Sequence, residues 1–232
     1  MNFGIVTARY DSSRFPGKAV ADIDGKPLIQ RVVDQALSAE SLDYVVVATE
    51  DERIADVVTG CDVLLTSKSH RNGTERCGEV SHRLGLADHT TVVSIQGDQP
   101  FIDPSIIDSV VGGFSLSRVQ GFDVATPYVW AYAGGTNKND VKVATDLNDH
   151  ALFFSRSVIP FGAEAVKKHI GVYVLHAKLL SVYAELQPTP LETAESLEQL
   201  RFLENGFTIK MVGVEKDVKT INAPEDMEGI SG

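Results

Sequence analysis

Through the first hundred residues, short apolar β-branched runs alternate with longer amphipathic stretches. Runs at 3–6, 44–48, 63–65 and 91–95 read as strands, each bounded by turn or charged residues. Between them, 28–37, 51–58 and 75–84 carry apolar residues at helical spacing. Strand, helix, strand in this rhythm predicts a parallel sheet with crossover helices. Asp51 and Glu52 stand where negative charge favours a helix start.

Beyond Pro104 the rhythm changes. One helix over 105–111 is followed by strand-like segments at 123–129, 141–145, 151–154 and 169–174. These are too close together for helical crossovers, which predicts antiparallel strands added to the sheet, or a β-rich subregion beside it. Helices over 178–186 and 191–204 and a last strand near 207–212 complete the pattern, with no internal repeat. The chain is therefore expected to fold as one α/β domain.

Three cations, Arg9, Arg14 and Lys18, and the hydroxyls of Ser12 and Ser13 crowd the turn that follows the first strand. Fixed positive charge and backbone N–H groups at a strand's carboxyl end suit phosphate. The turn lacks both the Walker pattern and the dinucleotide glycine pattern, so its cations must do that work. Its bland alternative is a surface turn at Pro16-Gly17.

Gln96-Gly97-Asp98-Gln99-Pro100 follows the fourth strand. Asp98 is placed to hold Mg²⁺ against substrate phosphates, and Gly97 to let backbone approach a ligand; an Asx turn is the alternative. Asn72-Gly73-Thr74-Glu75-Arg76 offers helix N-terminal N–H groups to a base or ribose, or is a plain N-cap with Arg76 on a wet face. Period two puts His169, Gly171 and Tyr173 on one strand face. Arg156 can fork onto a carboxylate. Taken alone, His169 reads as a structural histidine and Glu198 as a solvated helix residue.

A formal net charge of −11 excludes a nucleic-acid surface as the main partner, while leaving a small anion free to meet the clustered cations. Cys61 and Cys77 lack metal or disulfide spacing. They fit a reducing, cytoplasmic compartment, and no apolar stretch approaches the length of a bilayer span.

Together these segments resemble the 3-deoxy-manno-octulosonate cytidylyltransferases, the CMP-Kdo synthetases, almost end to end. The carriers are Ala8-Arg9-Tyr10 with Ser13-Arg14-Phe15-Pro16-Gly17-Lys18, Asp24-Gly25-Lys26-Pro27, Val47-Ala48-Thr49, Gly73-Thr74-Glu75-Arg76 and Gln96-Gly97-Asp98. Further on come Phe154-Ser155-Arg156 with Ile159-Pro160, His169-Ile170-Gly171-Val172-Tyr173, Leu197-Glu198-Gln199-Leu200-Arg201 and Ala223-Pro224-Glu225-Asp226.

The resemblance implies a Rossmann-like nucleotidyltransferase fold: a mixed, mostly parallel central sheet flanked by helices, with a small β-rich elaboration in the second half. It implies a nucleotide-binding part mainly in 1–120, and a sugar-binding and dimerisation part mainly in 121–205. The implied reaction joins CTP to an acidic 2-keto-3-deoxy sugar, giving a CMP-sugar for lipopolysaccharide or capsule and releasing pyrophosphate. Carried over, Arg9, Lys18 and Asp98 become catalytic. Ala8, Arg9, Ser13, Arg14, Lys18, Gly73, Arg76 and Gln96 bind the nucleotide. Gln99, Arg156, His169, Tyr173, Glu198 and Gln199 surround the sugar. Asp98 and position 222 hold Mg²⁺, and the molecule is a homodimer.

Three positions depart from the family pattern. Asn222 stands where the family usually carries a second metal-binding Asp, so weaker metal binding is expected. The connection from Pro160 to His169 is short, in a region that shapes sugar choice. Thr7 and Ala19 replace common prolines. Two alternatives remain: a synthetase for sialic-acid-type sugars, which resembles the first half, and a weakly active nucleotide-binding homologue. A dehydrogenase or methyltransferase is disfavoured by charged side chains where a cofactor wants glycines.

Overall fold

The computed structural model describes residues 1–12 and 14–227, with Arg118 described by its backbone alone. In chain order the strands are β1 (Asn2–Thr7), β2 (Asp22–Ile23), β3 (Lys26–Pro27), β4 (Tyr44–Thr49), β5 (Asp62–Leu65), β6 (Thr91–Gln96), β7 (Val124–Tyr132), β8 (Lys142–Thr145), β9 (Ala151–Ser155), β10 (Ala165–His169), β11 (Val172–His176) and β12 (Ile209–Gly213). The helices are α1 (Leu28–Leu37), α2 (Glu52–Ala55), α3 (Gly73–Arg83), α4 (Pro104–Phe114), α5 (Ser117–Gln120), α6 (Ala177–Glu185), α7 (Pro190–Glu195) and α8 (Gln199–Glu204).

One mixed sheet runs in the order β5-β4-β1-β6-β11-β7-β10-β8-β9, with β12 also paired to β7. The pairs β5–β4, β4–β1 and β1–β6 are parallel, as crossover helices require. From β6 onward, β11, β7, β10, β8 and β9 pair antiparallel, and β12 lies parallel to β7. The single α/β architecture with added antiparallel strands matches the expectation.

Period-two alternation sorts the strands onto two cores. Val6, Val45, Val47, Val93 and Ile95 pack with α1 and α4 on one face. Phe3, Ile5, Val46, Ala48 and Val92 pack with α3, α6 and α8 on the other. Helix α1 shows why the pattern was readable: Leu28, Ile29, Val32, Val33 and Ala36 form one stripe, and all are fully buried.

Three sequence expectations need correction. The helix expected over 51–58 stops after α2, with Asp51 Oδ1 capping Arg53 N. The strand expected over 169–174 is two strands, β10 and β11, broken at Ile170-Gly171. His169 therefore leaves the sheet beside β7, while Tyr173 sits beside β6. The helix expected over 191–204 splits into α7 and α8 at Ser196, whose φ of 54° is left-handed.

Candidate active site

Parallel strands β1, β4 and β6 end together at Thr7, Thr49 and Gln96, and ligands of open α/β sheets bind outside such carboxyl ends. Two hydrogen bonds carry the ladder one residue into the loops, Ala8 N to Ala48 O at 3.0 Å and Gly97 N to Thr7 O at 2.9 Å. A Cβ on residue 97 would lie 2.6 Å from Thr7 O. Gly97 thus serves close approach to the chain's own backbone, where the sequence suggested approach to a ligand.

Within the first loop Gly17 turns the chain at φ 74° and its N–H returns to Tyr10 O at 2.9 Å. Tyr10 N donates to Glu50 Oε1 at 2.8 Å, and the Arg53 guanidinium covers the Tyr10 ring. The turn so formed presents Arg9 and Arg14 to solvent and folds Lys18 inward. Lys18 Nζ donates to Asp98 Oδ2 at 3.0 Å and to Ile221 O at 2.8 Å. Ile221 N in turn donates to Asp98 O at 2.9 Å, which brings Asn222 beside the Lys18–Asp98 pair.

A cavity of about 1060 Å³ opens over this floor. Its walls include Ala8, Arg9, Arg14, Gly73, Arg76, Gln96, Asp98 and Asn222 from the phosphate and metal expectations. Gln99, Arg156, His169, Tyr173, Glu198 and Gln199 from the sugar expectation line the same space. Lys18 meets it through Asp98, and Ser13 lies outside the described residues.

Several of these side chains are already committed. Arg76 is buried, not on a wet face: it pairs with Glu50 Oε2 at 2.9 Å and with Thr66 Oγ1. Burial disfavours its charged form and Glu50 opposes that. Asn72 is indeed the N-cap of α3, its Oδ1 accepting Glu75 N at 2.9 Å. Glu198 is half-buried and held rather than solvated, accepting Thr74 N and Gln96 Nε2, each at 3.0 Å. Burial raises its pKa, while those donors favour the carboxylate. Tyr183 donates to Glu198 O and receives Asn72 Nδ2, closing the network.

The residues expected around the sugar keep specific functionality free. Thr126 Oγ1 donates to Val172 O at 2.6 Å, so its contact with His169 Nε2 at 2.8 Å makes that nitrogen the donor. Burial pushes His169 down to about 3, leaving a neutral ring with Nδ1 as acceptor. Tyr173 donates to Gln199 Oε1 at 3.1 Å. Gln99 is buried in the wall of the cleft, and among the described residues its Oε1 meets no donor. Among the described residues, the guanidinium of Arg156 contacts the carbonyls of Glu195, Ser196 and Lys138 and forms no ion pair with a carboxylate.

Sequence reasoning missed Glu50, Asn139, Lys142 and Lys168. Glu50 ties the first loop to α3; Asn139 Oδ1 accepts Arg14 Nη1 at 2.6 Å. Lys168, also at the cleft, lies 2.6 Å from Asp217 and 3.7 Å from Asp140. No local pattern marks Glu50, Asn139 or Lys168, because each acts through a partner far along the chain, and nothing in the sequence marks a lysine such as Lys142 whose partners are backbone carbonyls.

A cation-rich loop and an acidic residue at adjacent strand ends, facing an acceptor pocket across one cleft, define a nucleotide-handling transferase of the α/β class. The chain belongs to the cytidylyltransferase family, whose model matches residues 3–217. It is 42% identical to the mitochondrial 3-deoxy-manno-octulosonate cytidylyltransferase of Arabidopsis thaliana, over 98% of this chain and 81% of that one. It is 43% identical to the 8-amino-3,8-dideoxy-manno-octulosonate cytidylyltransferase of Shewanella pealeana, over 96% and 94%. A solved CMP:2-keto-3-deoxy-manno-octonic acid synthetase complexed with CTP is 34% identical, with a TM-score of 0.88 over 98% of this chain and 95% of its own. A cytidylyltransferase from Leptospira borgpetersenii, 17% identical with a TM-score of 0.62 over 98% and 83%, shares the fold.

Proposed function

We propose that this enzyme transfers CMP from CTP to the anomeric hydroxyl of a 2-keto-3-deoxy-octulosonic acid, releasing pyrophosphate. The observation that carries this is one cleft lined by Arg9, Arg14 and Arg156 together with Asp98, Gln99 and His169, in which, among the described residues, none of the three guanidinium groups forms an ion pair with a carboxylate. Arg9 and Arg14 suit a triphosphate and Arg156 a sugar carboxylate with hydroxyls.

The chemistry is in-line displacement at the α-phosphorus, which needs positioning and neutralised charge rather than a covalent nucleophile. Arg9, Arg14 and Lys18 neutralise phosphate charge. Glu198 holds Gln96 and the start of α3 for the cytidine, with Gly73 leaving room there. Arg156 orients the sugar acid, His169 Nδ1 accepts one of its hydroxyls, and Gln99 backs the pocket wall beside them. Gln199 fixes Tyr173 beside them.

Asp98 and the Asn222 amide oxygen are hard donors, and among the described residues no trio of His, Cys, Asp or Glu forms a metal cage. That set fits Mg²⁺, which binds through one or two protein oxygens plus substrate phosphates. When bound, Mg²⁺ would supply charge neutralisation at the phosphates.

The same reading places the enzyme in the cytoplasm as a homodimer, its product feeding lipopolysaccharide or capsule. Cys61 and Cys77 are both free thiols, as a reducing compartment keeps them, and among the described residues no helix is long and apolar enough to cross a membrane.

Pyrophosphate release from CTP and Mg²⁺ with a panel of ulosonic acids tests the assignment. The octulosonic acid should turn over fastest; its 8-amino analogue belongs in the panel because the Shewanella relative is named for it. Sialic acids winning, or no turnover with any member, would overturn it. Asp98→Ala should lower kcat at least about a hundredfold, since several kcal/mol of charge stabilisation leave with the carboxylate. Near-normal release by that variant would refute the metal role.

A further inference from the structure

We propose that the turn at 137–140 couples the two halves of the cleft, with Asn139 as positioning residue for Arg14 and buried Lys142 as the strut that holds the turn. This rests on the cytidylyl-transfer reading and adds residues that the reading does not use.

Arg14 projects from an exposed loop, so something must fix its guanidinium over the phosphate end. Among the described residues its hydrogen-bond partners are amide oxygens, Asn139 Oδ1 at 2.6 Å and Asn222 Oδ1 at 3.2 Å. Neutral acceptors orient the guanidinium without cancelling its charge, which a carboxylate in either place would do. Asn139 is itself held, its N–H donating to Asn137 Oδ1 at 2.7 Å while Asn137 N donates to Asp140 Oδ2 at 2.8 Å.

Beneath the turn, Lys142 is 1% exposed. Its Nζ donates to three backbone carbonyls, Asn137 O at 2.9 Å, Asp140 O at 2.8 Å and Arg156 O at 2.7 Å. Among the described residues no side-chain carboxylate pairs with it, and burial lowers its pKa. A buried ammonium carried entirely by carbonyls is costly unless its geometry is used. Here it pins the turn to the residue that faces the sugar, and Arg156 Nη1 also reaches Lys138 O at 3.4 Å. One four-residue turn thus touches Arg14 on the phosphate side and Arg156 on the sugar side.

The test is a double-mutant cycle on CTP binding, read by calorimetry with Mg²⁺ and no sugar. Asn139→Ala should weaken CTP about tenfold, as loss of one charge-assisted hydrogen bond does, with an unchanged melting temperature and little change in kcat at saturating CTP. Asn139→Asp should also weaken CTP, by neutralising Arg14. In an Arg14→Met background, Asn139→Ala should have no further effect. Additive losses, or an Asn139→Ala variant that binds CTP normally, would overturn the positioning role. Lys142→Met should raise the KM for CTP and for the sugar together; a drop in melting temperature with both KM values unchanged would overturn the strut. Failure of the unmodified enzyme to bind CTP would instead sink the functional reading beneath.

Discussion

Asn222 is the residue at which the two demands on the proposed phosphate end meet. Its Oδ1 receives Arg14, its Nδ2 donates to Thr220 O at 3.3 Å, and its backbone N–H donates to Asp226 Oδ2 at 2.7 Å. The amide oxygen is a weak metal donor but a harmless partner for a guanidinium. A carboxylate would reverse both properties, attracting a divalent cation toward Asp98 while pairing off Arg14. Asn222→Asp should therefore lower the Mg²⁺ concentration for half-maximal activity by roughly tenfold, one added charge in a wet cleft being worth on the order of 1–2 kcal/mol. The same variant should raise the KM for CTP. Titrating Mg²⁺ at saturating CTP checks it, and an unchanged or higher requirement would refute the argument.

At the scale of elements, the cleft depends on how closely β1 and β6 approach where they end. Gly97→Ala puts a methyl 2.6 Å from Thr7 O, the atom that also accepts the residue 97 N–H. Backbone must part to admit it, at a cost of about 1–3 kcal/mol, and the loops carrying Arg9 and Asp98 move with it. Urea unfolding and CTP binding should both register the change; a variant as stable as the parent would show that the approach is not needed. Elements such as β1, β4, β6 and α1 were legible because their faces meet one core at a constant period. Two breaks were hidden. Positions 191–204 keep helical spacing through Ser196, yet the Glu195 carboxylate is drawn to Arg156 N and Ser155 Oγ, and Leu197 N closes onto Glu192 O. Positions 169–174 alternate like one strand, yet the chain passes from β7 and β8 to β6 within them. Tertiary partners decide both, and a local pattern does not contain them. The site divides the same way: motif residues such as Asp98 and Arg14 announce themselves, whereas Arg14's hold on Asn139 spans 125 positions.

For the whole molecule, the second half of the sheet leaves large apolar side chains in water that a monomer has no use for. Trp130 and Tyr132 stand on one face of β7, 61% and 72% exposed, Leu152 on β9 is 64% exposed, and Phe161 is fully exposed. Phe161 belongs to the turn that leads into β10, whose Ala165 pairs with Tyr132. Lone exposed apolar groups are ordinary, but Trp130, Tyr132 and Phe161 gather on β7 and the turn into β10 beside it, with Leu152 further along at the sheet's edge, and such a group has the character of an interaction surface. The proposed occupant is a second copy, since none of these four side chains lines the cleft and a two-fold contact is self-complementary. With a net charge of −11, two copies repel except where apolar surface and a cation meet, and Lys167 Nζ sits 4.6 Å from the Tyr128 ring centre and 5.5 Å from that of Trp130. Sedimentation at micromolar concentration should give twice the chain mass. Trp130→Glu with Phe161→Glu should give a monomer that keeps its CTP affinity, because neither side chain lines the cleft. A dimer that survives both substitutions would move the interface elsewhere, and a monomeric parent would remove it.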